Sequence, residues 1–278
     1  MIFALPAVVF FLGMFAYPLI FTFVLSLQKW DLLTPATWVG LDNYLYLLQD
    51  PEFQNSILVT LYYVVGTCVP LVVLSLLLAV FFTQTFHLRQ VSLTVFYIPV
   101  VVSITVWTIL WRLMLNPGYG LLTVITNALG FPYVRWLADP HLAMPAIILL
   151  TVWKALPYYT VILIAGLRTI PADYSEAARI DGANSWQMFL RITLPLLRPV
   201  LLYVVVMSVL GAFQVFNVTY LLTNGGPGSA TRVLSLYIYQ TAFSDLRMGD
   251  AATASVLMFI MMLGITFVQL RLLRANPQ

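Results

Sequence analysis

The sequence predicts an all-α integral membrane protein with six transmembrane helices, and three observations carry that prediction. Of its 278 residues, 62% are hydrophobic and only 8% are charged, against about 25% charged in an ordinary soluble domain. Six segments each supply the roughly 20 predominantly apolar residues that a spanning helix needs. The basic residues gather in alternate loops, the asymmetry that orients multi-span proteins. Together these exclude a soluble enzyme, a nucleic-acid binder and a disordered tail. The net charge of +3 comes from dispersed residues that form no basic stripe, so no nucleic-acid partner is expected.

Residues 2–27 form the first span and carry no charge. They lack the basic start of a signal peptide and outrun its apolar core of about 7–15 residues, so the helix is read as retained. Residues 57–82, also uncharged, form the second span. The third covers 91–115, with Arg112 near its end, and the fourth covers 142–167 and contains Lys154. Residues 200–222 and 251–270 complete the set. Uncharged runs of this length are not the alternating strands of about 10 residues found in outer-membrane barrels. Cys68 stands alone in an apolar run and is read as a small packing residue.

Orientation follows from the loops. Arg89, Arg168, Arg179, Arg191, Arg198, Arg271 and Arg274 fall in 83–90, 168–199 and the C-terminal tail. Only Lys29, Arg135, Arg232 and Arg247 fall in 28–56, 116–141 and 223–250, which also hold seven of the ten acids. The arginine-rich side is expected to face the cytoplasm, with both termini there. No linker or repeat interrupts the chain, so 1–278 reads as a single transmembrane domain.

The longest polar stretch on that side is 168–199. Pro171 and Asp173 mark a helix start, and 174–180 holds good helix formers. Gly182 breaks the helix, because glycine reaches positive φ without cost. Asn184 or Ser185 can cap a second short helix over 186–192. Pro195 and Pro199 end it and lead into the fifth span. Ala177, Ala178 and Ala183 keep the first helix thin, while Tyr174, Trp186, Met188 and Phe189 add apolar surface that a solvated loop does not need. An amphipathic connector lying on the bilayer would account for this composition. The spacing says more: Glu176-Ala177-Ala178, three residues, Gly182, nine residues, Ile192, one residue, then Leu194-Pro195.

That pattern, EAA-x3-G-x9-I-x-L-P, resembles the coupling loop of permease subunits in binding-protein-dependent ABC importers. The runs at 38–44 (WVGLDNY), 136–140 (WLADP), 151–159 (TVWKALPYY) and 220–243 (YLLTNGGPGSATRVLSLYIYQTAF) resemble the carbohydrate-uptake branch. That branch is the maltose and glycerol-3-phosphate type, and the likeness is to its larger maltose permease subunit, without that subunit's large external domain. The resemblance implies a type I ABC importer permease fold, with its core over about 56–272 and a cytoplasmic coupling helix. It implies a second permease subunit, expected as a heterodimer, an ABC ATPase dimer, and an external solute-binding protein or lipoprotein. These would sit in a bacterial or archaeal cytoplasmic (inner) membrane. The chain itself is expected to be no enzyme and to bind no cofactor, with ATP and Mg held on the ATPase subunits. Glu176, Ala177, Ala178, Asp181, Gly182 and Ala183 would contact the ATPase. The TNGGPGSAT run lacks the G-K-[ST] ending of a P-loop, so Gly225, Gly226 and Pro227 are read as a turn that docks the binding protein.

An intramembrane charge costs about 2.5–3.5 kcal/mol on insertion scales, which makes Lys154 a functional candidate. Trp153, Tyr158 and Tyr159 offer faces on which sugar C–H groups can stack, and Thr151 offers a hydroxyl. The resemblance carries solute-contacting positions onto Thr151, Trp153, Lys154, Ala155 and Tyr158, onto Ser208 and Gly211, and onto Val100 and Ile104 beside Ser103. Lys154 and Val100 depart from the maltose-type pattern, so a disaccharide, an oligosaccharide, a polyol and glycerol 3-phosphate all stay open. Gln214 and Asn217 fit path lining and helix–helix hydrogen bonding equally. Pro157 is expected to kink the fourth helix and free a carbonyl, and Arg112 to anchor at the boundary. Trp107, Trp111, Tyr62 and Tyr63 are read as packing or interfacial aromatics. His87 and His141 lie in opposite loops, so no metal site is expected. A secondary transporter would call for acids inside the spans, and the predicted spans contain none. An ABC permease for a non-sugar solute is the other alternative, and the LLTNGGP stretch argues against it.

Overall fold

The computed structural model describes residues 5–84, 87–130 and 134–274. Four unbroken helices are long and apolar enough to cross a membrane: Leu5–Ser26, Pro51–Thr83, Pro140–Arg168 and Met248–Leu272. Two bent pairs bring the spans to six. They are Arg89–Val101 with Ile104–Met114, bent by 92°, and Ser185–Leu196 with Arg198–Phe213, bent by 69°.

Caps set where the long helices begin. The second span starts at Pro51, ahead of its apolar run, because Asp50 accepts from the Glu52 N–H at 3.0 Å. The fourth starts at Pro140, with Asp139 accepting from the His141 N–H at 2.8 Å. Proline fits the first helical position, where its missing N–H has no partner to lose.

Two spans depart from the expected continuous helices. The third breaks at Val102 and Ser103, which adopt extended backbone at ψ 132 and 138. Pro99 has no N–H to give the ladder, and the β-branched run Val100-Val101-Val102 favours helix weakly. The fifth stops at Phe213 and resumes at Asn217–Thr223. Its 16-residue first part rises only about 24 Å, short of a hydrocarbon core about 30 Å thick. Pro157, by contrast, sits buried inside an unbroken Pro140–Arg168 helix, so the fourth span does not break there.

The second and fourth spans pack along their length and form the centre of the bundle. Tyr63, Val64, Cys68, Met144, Ile147 and Leu150 share one buried cluster with residues of the polar segments at one end, including Leu47, Phe53, Leu234 and Tyr237. A smaller cluster of Ala79, Phe82, Leu163, Ile164, Leu197 and Val204 lies toward the other end. No residue from Leu5 to Leu25 is buried, so the first span presents its apolar surface outward, as a bilayer allows.

One end, here the hairpin end, is elaborated. Residues Gln28–Lys29 pair antiparallel with Thr37–Trp38, and helices Asp42–Gln49, Leu121–Ala128 and Leu234–Phe243 follow in the loops. The hairpin lies against the sixth span: the Met248 N–H donates to Trp30 O at 2.9 Å. A Cβ on Gly249 would stand 2.1 Å from Gln28 O, so only glycine admits this approach. The opposite end, the loop end, carries 169–197.

Candidate solute path and coupling loop

Lys154 lies inside the fourth span and reaches across to the broken third span. Its Nζ donates to Pro99 O at 2.8 Å and to Val102 O at 2.6 Å. These carbonyls belong to the end of Arg89–Val101, where the helix leaves its last acceptors without intrahelical partners. A cation there also faces the negative end of the helix dipole. The ammonium stands 5.3 Å from the centre of the Trp107 ring. The break in the third span is therefore held by a side chain from the fourth. The fifth span is repaired similarly, because the Ser235 hydroxyl donates to Val215 O. Irregular backbone at membrane depth persists where protein groups satisfy it.

Beside the first break lies a cavity of about 290 Å³ lined by Val100, Ile104, Trp107, Thr151, Lys154, Ala155, Tyr158, Tyr159 and Val218. Six of the expected path residues meet here: Val100, Ile104, Thr151, Lys154, Ala155 and Tyr158. Thr151 Oγ1 accepts from the Tyr63 hydroxyl at 3.1 Å, which fixes it against the second span. Trp107 and Val218 were missed. Trp107 sits one turn past Ile104, on the face the path residues already defined, and that periodicity was the available signal. Val218 was hidden because it reaches the cavity only through the break before Asn217.

The other expected path residues lie elsewhere. Trp153 stacks 4.5 Å from Trp107 and 5.5 Å from Trp111 and borders a separate apolar cavity with Trp136 and Leu149. Ser103 occupies the bend itself, without a side-chain cap. Ser208 is buried and donates to Val205 O at 3.0 Å, so it belongs to packing. Gly211, Gln214 and Asn217 are exposed at three-residue spacing along the fifth span. The break at 214–216 separates Asn217 from the other two, and none of the three lines the cavity.

The expected docking turn is held from within. Gly225 has φ +89 and Gly228 φ +55. Gly225 is buried, Thr231 Oγ1 donates to Gly226 O at 2.8 Å, and the Thr223 and Thr231 hydroxyls are 2.6 Å apart. Gly226 and Pro227 remain half-exposed. Around this turn, Arg232 pairs with Glu52 at 2.7 Å, and the Leu234 N–H donates to buried Thr60 Oγ1 at 2.8 Å. Tyr237 donates to Asp50 Oδ2 at 2.8 Å. Burial and the neighbouring carboxylate push its phenol well above the ordinary value.

At the loop end, Ala172–Ile180 closes on Gly182 at φ +80. The Ala183 N–H donates to Ala178 O at 2.9 Å and the Gly182 N–H to Arg179 O at 3.1 Å, the paired bonds of a Schellman stop. Asn184 and Gln187 then exchange side-chain and backbone bonds in a capping box that opens Ser185–Leu196. Glu176, Ala177, Asp181 and Gly182 are exposed, Ala183 is half-buried and Ala178 is buried. Ile180 is 87% exposed and Trp186 66%.

Residues 53–276 match the family described as "Binding-protein-dependent transport system inner membrane component". The chain is 36% identical over 283 residues to the Probable ABC transporter permease protein YurN of Bacillus subtilis, covering 100% of this chain and 96% of that one. It is 37% identical over 271 residues to the Trehalose/maltose transport system permease protein MalF of Thermococcus litoralis, covering 96% and 90%. A chain in the crystal structure of a bacterial alginate ABC transporter, in complex with an alginate pentasaccharide-bound periplasmic protein, superposes with a TM-score of 0.85. That match has 25% identity and covers 97% of this chain and 92% of the other.

Proposed function

The chain belongs to the family of binding-protein-dependent transport-system inner-membrane components, and from that membership we propose that it forms half of the path by which a sugar or related solute is imported. The single observation that carries the solute class is the cavity at the third-span break. Trp107, Tyr158 and Tyr159 give it aromatic faces, Lys154 gives it a donor, and the Thr151 hydroxyl, whose proton goes to Ile147 O, gives it a polar wall group. Aromatic faces with a few placed polar groups are what a saccharide needs: C–H surfaces that stack and hydroxyls that bond. The names of the trehalose/maltose and alginate relatives support this class.

The remaining assembly follows from the same reading. The loop end faces the cytoplasm, with both termini, and the hairpin end faces the binding protein. The Ala172–Ile180 helix docks an ATPase subunit, with Glu176 and Asp181 making polar contacts and Ala177 allowing close approach. A second, different permease completes the path. ATP and Mg are held by the ATPase subunits, and the chain itself catalyses nothing. ATP-driven closure of the ATPase dimer moves the two permeases as rigid bodies between inward- and outward-facing states.

The test is reconstitution of the full transporter in proteoliposomes, after ligand screening of its binding protein. The expected result is ATP-dependent uptake of a saccharide, reduced in Trp107→Ala. A binding protein that takes only amino acids, peptides or metal ions would overturn the solute class.

A further inference from the structure

The loop end holds a second polar recess, remote from the third-span break. His87, Arg89, Gln90, Leu93 and Arg168 line a cavity of about 460 Å³. Arg89 is the first residue of the third span's first half, and Arg168 is the last residue of the fourth span. Three basic side chains thus converge between two helix ends, and no acidic side chain lines the recess. Both ion pairs among the described residues lie at the hairpin end, so neither arginine pairs with a described carboxylate. Arg89 Nε is buried and has no hydrogen-bond partner among the described residues. An ionised donor left in that condition is costly. Leu88, at the N-cap of the 13-residue helix Arg89–Val101, supplies no side-chain cap, and the first N–H groups of a helix have no intrahelical acceptor.

We propose that this recess binds a phosphate-bearing anion, of the kind a lipid headgroup or a free phosphate supplies. Guanidinium forks match phosphate oxygens two at a time. A helix N-terminus adds backbone donors and favourable dipole. The recess lies level with the ends of two spans, which is where headgroup phosphates lie, and basic pockets between helices on the cytoplasmic side suit anionic lipids. The inference is independent of the imported solute's identity.

The test uses the assembled transporter, with its partner subunits, in nanodiscs. One arm contains phosphatidylcholine with phosphatidylglycerol, and native mass spectrometry counts retained phosphatidylglycerol. The other contains phosphatidylcholine alone, titrated with inorganic phosphate and read by phosphorus NMR. Wild type is expected to retain phosphatidylglycerol, and R89Q/R168Q to lose it by about tenfold or more. Arg168 is exposed, so R168Q alone serves as a variant with no buried change and should give a smaller loss in the same direction. Phosphate binding in the second arm, lost in the same variants, would assign the site to a soluble phosphate. Equal binding by wild type and variants in both arms overturns the proposal. So does loss of ATPase subunits with lipid retention unchanged, which would make the recess a protein contact.

Discussion

At the hairpin end, Arg232 pairs with Glu52, Tyr237 donates to Asp50, and Thr60 accepts from the Leu234 N–H. At the loop end, Glu176, Arg179, Asp181 and Trp186 are exposed, and no ion pair forms among the described residues. The first surface directs its polar groups inward and fastens the helices to one another. The second fixes only its own turn and leaves Ile180 and Trp186 uncovered. The hairpin end also leaves apolar groups open, Leu33 at 81% and Trp38 at 65% exposed, but its helices are tied to one another by these bonds. At the loop end, exposed apolar and charged groups sit on a segment without such ties, the kind of surface that offers a protein contact.

That contrast can be broken at defined points. Gly182→Asp has the largest expected effect. It places a β-carbon and a charge at φ +80, at a backbone cost of about 1–2 kcal/mol, so the subunit should still reach the membrane. Uptake should be lost while ATP hydrolysis continues, and unchanged uptake in proteoliposomes would remove the coupling assignment. Next comes Lys154→Met, midway between the two ends. It leaves Pro99 O and Val102 O without their charged donor, a loss of about 2 kcal/mol. Thermal unfolding in detergent should show it, and an unshifted midpoint would mean that the bend does not depend on Lys154.

Thr60→Val tests the hairpin end directly. The buried Leu234 N–H would lose its acceptor, at a cost of about 1–2 kcal/mol, read as a lowered melting temperature with ATPase binding intact. A fall in ATPase binding instead would blur the division between the ends. The smallest effect belongs to Arg232→Gln. Its partner Glu52 is 63% exposed, so solvent screens the pair and the loss should be about 0–1 kcal/mol. A loss as large as that of Thr60→Val would mean the hairpin end depends on charge more than on buried bonds.

Residues 57–82 and 142–167 were legible because hydropathy alone identifies a long apolar helix. Their true starts, at Pro51 and Pro140, were not read, because the caps Asp50 and Asp139 set them and apolar residues do not. The turn at Gly182 was legible, since it acts through local backbone chemistry, and the cap narrowed to Asn184 or Ser185, of which Asn184 caps. The second helix runs past 192 and through Pro195 to Leu196. The breaks at Ser103 and at 214–216 were not legible. Hydropathy counts apolar side chains and cannot register whether a helix continues through them. Pro99 and the β-branched run weaken the helix locally, but the donor to the freed carbonyls comes from Lys154, more than 50 positions away, a contact that no local pattern encodes. The path was therefore half visible. Thr151, Lys154, Ala155 and Tyr158 follow one helix face, whereas Val218 comes into place only once the fifth span has broken. The hairpin at Gln28–Trp38 was too short to show a strand pattern.

The Schellman stop and the capping box have a further consequence, in conformational entropy. Ordering one backbone residue costs about 1–2 kcal/mol, and a coupling segment that folded only on contact would deduct that cost from every docking event. Here the bonds from Ala183 to Ala178 and between Asn184 and Gln187 impose the order beforehand. What is left to immobilise is side chains such as Trp186, at about 0.5–1.5 kcal/mol each. A partner that docks on the proposed coupling loop would then meet a segment that needs no refolding, and a displacement imposed on one of its helices would pass to the other.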